Sequence, residues 1–104
     1  MSARDEFRKA LILLDHGKLG CGEDVLKKAI EMAKQESDPV SLVQALVCLG
    51  DLFCETGCPA KARPLLAEAL DEQQSCEAQY DDLLAEEFGR ARQLCGEQGW
   101  AVSR

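Results

Sequence analysis

Residues 48–70 read CLGDLFCETGCPAKARPLLAEAL, and they admit two readings. Cys48, Cys54 and Cys58 fall within eleven residues, the last two as CETGC, which suggests a metal clip or a redox pair. The same residues carry LGDLF, a turn at Thr56-Gly57, and then apolar positions three and four apart: Ala62, Leu65, Leu66, Ala69 and Leu70. That spacing is one face of a helix, and two such faces joined across a glycine turn make a helical hairpin.

Ligand arithmetic decides against the metal. A structural zinc site takes four ligands, usually two close cysteine pairs or one pair and two histidines. His16 is the only histidine of the chain, and Cys48 sits six residues before Cys54, on another part of the helix. A regulatory thiol is the stronger alternative, because Cys21, Cys58 and Cys76 fall near expected helix N-termini, where thiol pKa drops. The plainer reading makes Cys48 and Cys95 small core hydrophobes. No metal and no cofactor is expected.

Enzymatic signatures are equally thin. His16 stands beside Gly17 at a helix C-terminus, where a histidine suits the helix dipole. Gly17, Gly20 and Gly22 follow no strand, so they form no phosphate cradle. The carboxylate pairs Asp81-Asp82 and Glu86-Glu87 lie on a polar helix face and read as solvated. The expectation is a protein that is not an enzyme.

Composition sets the class. The chain has 104 residues, 46% hydrophobic and 30% charged, which suits one globular domain rather than a disordered segment. With only 5% aromatics, leucine and alanine must fill the core. The longest apolar run, Ala10–Leu14, is far short of the roughly 20 residues of a membrane span. The N-terminal MSARDEFRK has no apolar region behind its charges, so a cytoplasmic location is expected. Net charge is −7, and residues 71–89 hold seven acidic side chains and no Lys or Arg. Nucleic acid and anionic membrane both require the opposite sign, so neither is an expected partner.

Five helices and no strand are expected. Ser2 caps the first, whose apolar face is Phe7, Ala10, Leu11 and Leu14, and Gly17 stops it before a glycine-rich loop. The second runs from about Gly22 to Glu36, with Val25, Leu26, Ala29, Ile30 and Ala33 on one face. Asp38 is placed to cap the third helix and Pro39 to open it. Val43, Leu46, Leu49, Gly50 and Phe53 form its face. Pro59 opens the fourth. Ser75 is placed to cap a fifth carrying Tyr80, Leu83, Leu84, Phe88, Ala91, Leu94 and Cys95. Loops this short make neighbours antiparallel.

The pattern repeats. Phe7, Ala10, Leu11 and Leu14 recur 39 residues on as Leu46, Leu49, Gly50 and Phe53. Leu26, Ala29 and Ile30 recur 40 residues on as Leu66, Ala69 and Leu70. Here the chain resembles the tetratricopeptide repeat, through Leu46, Leu49-Gly50, Phe53, Gly57, Ala62, Leu66 and Ala69. Tyr80 and Leu83 follow Leu46 and Leu49 by 34 residues, that family's period. The first hairpin departs from the pattern with Leu11 in the glycine's place. The resemblance implies an all-α fold in which antiparallel hairpins stack as a short solenoid of about two and a half repeats. It would form one domain over 1–104: a divergent hairpin at 2–36, the best match at 39–73, a capping helix at 75–96 and a tail at 97–104.

In that family the first helix of each repeat lines a concave groove. The matching positions here are Asp5, Arg8, Ile12 and Asp15, then Gln44, Val47, Asp51 and Glu55, then Ala78, Asp81, Ala85 and Phe88. The implied groove is acidic, with apolar points at Ile12, Val47 and Phe88. The family's carboxylate-clamp positions fall on Arg8, Ile12, Cys48, Ala78 and Asp82, which do not suit an anionic chain end. The expectation is therefore an adaptor or assembly factor gripping a basic, amphipathic peptide or helix. Two alternatives stand beside it: a self-associating module, dimeric through Phe88, Trp100 or the open end of the second helix, and a thiol- or zinc-responsive regulator.

Overall fold

The computed structural model describes residues 2–75 and 78–100. Each helix begins where the local sequence supplies a start. Ser2 accepts the Asp5 amide at 3.2 Å and opens α1 (Ala3–Asp15). Asp38 accepts the Ser41 amide at 3.1 Å, with Pro39 in the first position of α3 (Pro39–Glu55). Pro59 likewise opens α4 (Pro59–Ser75). Gly17 and Gly57 follow α1 and α3 at φ +74 and +82, the left-handed backbone that lets the chain reverse.

Three expectations need correction. First, α2 (Leu19–Glu36) begins before Gly22 and absorbs Gly20 and Gly22, so the connection from α1 is a tight turn rather than a flexible loop. The cause is contact. A Cβ on Gly22 would stand 2.5 Å from Leu14 Cδ2, so the absent side chain is what lets α1 and α2 close up. Gly22 precedes Ala62 by forty residues, the same offset as the other second-helix matches, so a small residue recurs at that place.

Second, the expected fifth helix is divided into α5 (Ala78–Leu83) and α6 (Ala85–Gln98), giving six helices among the described residues. Helical hydrogen bonds reach the dividing residue from both sides, Leu84 to Tyr80 at 2.9 Å and Phe88 to Leu84 at 3.0 Å, so the chain bends there without a loop. The bend sends Leu84 into the core at 1% exposure and leaves Leu83 at 65%. Ser75, expected to cap this helix, lies within α4. It ends α4, its hydroxyl donating to the Glu72 carbonyl.

Third, the apolar face expected of α1 is buried only in part. Ala10 is buried, together with Ala3 and Glu6, while Phe7 and Leu14 are half-buried against the core and Leu11 is exposed. Small residues bring α1 against α2 and rotate its larger ones outward.

The helices pack as sequential antiparallel pairs around α3, which touches α1, α2, α4 and α6. The molecule measures 34 × 31 × 19 Å, and the short dimension is about two helix diameters. Leu26, Leu46, Leu49, Leu66, Leu84 and Phe88 are its largest fully buried apolar side chains. After α6, Gly99 turns at φ +74 and the partly buried Trp100 packs on the core. The Arg63 guanidinium lies 5.8 Å from the centre of the Trp100 ring.

Gly50 is the tightest point of the second hairpin: a Cβ there would meet Leu66 Cδ2 at 2.7 Å and Cγ at 2.9 Å, inside a fully buried layer. Gly50→Val is expected to cost about 2–3 kcal/mol in urea unfolding. Gly89→Ala, in the middle of α6 with nothing near its missing side chain, should instead stabilise by about 0.5–1 kcal/mol. Equal effects at the two glycines would refute the close-packing account.

Candidate functional site

Because α3 is covered on most sides, its few polar residues show where it is not covered. Gln44, Cys48, Asp51 and Glu55 are spaced i, i+4, i+7 and i+11, a single stripe along an otherwise buried helix. That stripe forms the floor of a groove. One wall is Phe7 and Leu11 of α1, and the other is Glu86, Glu87 and Arg90 of α6. The groove holds about 310 Å³. A smaller hollow of about 190 Å³ adjoins it at Cys48 and Asp51, lined also by Leu14, Leu19, Leu52 and Glu55. Leu11 and Leu19 are 39% and 45% exposed, so the α1 side offers uncovered apolar surface.

Two polar struts tie α6 to α3 across the floor. Arg90 donates from Nη2 to Asp51 Oδ1 at 2.9 Å and from Nε to Oδ2 at 3.4 Å. Gln44 donates to Glu87 Oε2 at 3.4 Å, nearly one turn of α6 away. The Asp51 carboxylate raises the Arg90 pKa further, despite some desolvation. Both side chains are about a third exposed, so this pair contributes on the order of 0–1 kcal/mol.

The implied groove residues divide. Gln44, Val47 and Asp51 come together on the floor, although Val47 is only 5% exposed. Glu55 lines the adjoining hollow. Arg8, Ile12 and Asp15 are exposed on α1 but do not line the groove, because the rotation of α1 presents Phe7 and Leu11. Asp81 accepts from Gln73 at 2.7 Å and is not among the groove's lining residues. Phe88 is a correction: at 1% exposure it is core and offers no surface to a ligand. Phe7, Leu11, Glu86, Glu87 and Arg90 were missed. Their signal was present for α1, where small residues at Ala3 and Ala10 mark the closer face, and absent for α6, whose bend at Leu84 resets the register.

A larger cleft of about 580 Å³ lies on the other side, between α2 and α4 over Leu49 and Phe53. Its rim is already internally matched: Lys27 pairs with Glu23 at 2.9 Å, Lys34 with Glu68 at 3.3 Å, and Lys61 lies over the Phe53 ring.

Among the described residues no three His, Cys, Asp or Glu side chains are grouped to hold a metal. Cys58 sits just ahead of α4, Cys21 is inside α2 rather than before it, and Cys76 lies outside the described residues. The His16 ring donates from Nδ1 to the Ile12 carbonyl at 2.8 Å, which closes the end of α1. No described helix is long and apolar enough to cross a membrane. No protein-family model matches the chain, nor does any curated protein or solved structure compared with it.

Burial first, then the charges of Asp51 and Glu55, push the Cys48 thiol from 9.0 up to about 11. Cys54 and Cys95 are raised chiefly by burial as well. Between pH 9 and 11 the folded protein keeps the Cys48 proton that the unfolded chain has lost. The stability linked to this thiol is therefore complete below pH 9 and is lost as pH rises toward 11. Wild type should lose unfolding free energy faster than Cys48→Ala over that window, by roughly 1 kcal/mol per pH unit. Parallel curves would show that the thiol ionises freely in the fold.

Proposed function

We propose that this chain is a non-enzymatic binding module of tetratricopeptide-like build, which holds a basic amphipathic segment in the groove between α1, α3 and α6. The close approach of Gly50 to Leu66 and the small residue shared by Gly22 and Ala62 support that build, since they put the least bulk where paired helices meet.

The observation that carries the reading is the uncovered apolar surface along α1 and the start of α2, facing carboxylates. Leu11 and Leu19 stand exposed beside half-buried Phe7 and Leu14, at spacings that suit apolar anchors of a helix or extended chain. Asp51, Glu55, Glu86 and Glu87 surround them, with Arg90 the one cation among the described lining residues. A segment bearing Lys or Arg on either side of apolar anchors complements both features. The larger cleft between α2 and α4 fits such a segment less well, because Lys27, Lys34 and Lys61 line it against two carboxylates, Glu31 and Glu68.

The test is fluorescence anisotropy with a synthetic amphipathic peptide, leucines on one face and arginines flanking them. Wild type should bind it with salt-sensitive affinity, and Glu55→Lys, Glu86→Lys together should weaken binding at least tenfold. Leu11→Asp should do the same with little change in stability, since Leu11 is already exposed. Undiminished binding by the charge-reversed protein would place the contact on another face. A concentration-dependent dimer that excludes the peptide would favour the self-associating module instead.

A further inference from the structure

We propose that Arg90 is a resident occupant of the groove's cation site, and that the partner presents an arginine which takes its place on Asp51. This rests on the binding reading above and adds which side chain the groove recognises and what guards it.

Among the described residues Arg90 is the only basic one lining the groove, and from the α6 wall it reaches Asp51 on the floor. Its contact with Asp51 is a two-point fork, Nη2 to Oδ1 and Nε to Oδ2. A planar guanidinium satisfies both carboxylate oxygens at once, and an ammonium does not. The site is thus shaped for arginine rather than for positive charge in general.

The occupant is also removable. Asp51 is 29% and Arg90 37% exposed, so water already reaches the pair and its exchange for an equivalent fork is close to neutral. The anchorage of α6 does not depend on it: Leu84, Phe88, Ala91, Leu94 and Cys95 bury the inner face of α6 and its lead-in, and the Gln44–Glu87 strut remains. Glu55 and Glu97 also attract the Arg90 guanidinium, so carboxylates other than Asp51 stand near it when displaced. Segments without arginine lack an equivalent fork to exchange for Arg90, so the pair disfavours ligands that are merely basic.

Two peptides test this, identical in their leucines and carrying either arginine or lysine at the flanking positions. They are titrated against wild type, Arg90→Met, Arg90→Gln and the Arg90→Met, Asp51→Asn double variant. Thermal unfolding followed by circular dichroism verifies that each is folded. Arg90→Met and Arg90→Gln should bind the arginine peptide about three- to fivefold more tightly than wild type. The lysine peptide should gain distinctly less. Adding Asp51→Asn should erase the gain. Unchanged or weaker arginine-peptide binding without Arg90 would overturn the proposal while leaving the groove reading intact, as would equal gains for both peptides. Failure of every variant, wild type included, to bind either peptide would overturn both.

Discussion

One helix has to be apolar almost all the way round, and the remaining structure is arranged about that demand. α1, α2, α4 and α6 all use α3 as a wall, and ten of its seventeen residues are buried as a result. A helix so enclosed has no independent solubility and makes sense only inside the assembled domain. Its polar residues are consequently informative. Where Gln44, Cys48, Asp51 and Glu55 line up, no neighbour covers the helix, and the groove follows from that gap.

This is why the centre of the fold was legible and its margins were less so. The stretch from Asp38 to Leu70 carries a cap, an opening proline, a glycine turn and two apolar stripes, and local rules agree with tertiary packing at each of them. The helix starting at Leu19 was read too short because Gly20 and Gly22 count as breakers in an isolated helix. Close approach by Leu14 makes Gly22 favourable instead. The bend at Leu84 left no mark in the sequence. No glycine or proline stands there, and the chain turns to bury Leu84 against helices far away in sequence.

The candidate site was legible to the extent that it lies on α3. Gln44, Asp51 and Glu55, which the tetratricopeptide resemblance implies for a groove, share one stripe of α3 and border its two hollows. On α1 the apolar spacing rightly includes Ala10 in the core face, but volume near a crossing helix favours Ala3 beside it and leaves Phe7 and Leu11 bordering the groove. The cysteines that first drew notice have ordinary physical roles. Cys95 fills core space and Cys48 lies in the groove floor with its thiol held protonated.

The buried Glu6 gives the groove walls unequal stiffness. Its Oε1 meets Lys28 at 3.5 Å, while Oε2 finds no partner among the described residues despite 1% exposure. Together with the small volumes of Ala3 and Ala10, this leaves α1 with no large apolar side chain fully buried and with a half-satisfied carboxylate. α3, by contrast, is clamped by four neighbours. Amide exchange will therefore proceed through opening of α1 well before α3 yields. α1 is thus the yielding wall of the groove, standing over a floor, α3, that stays fixed while it opens.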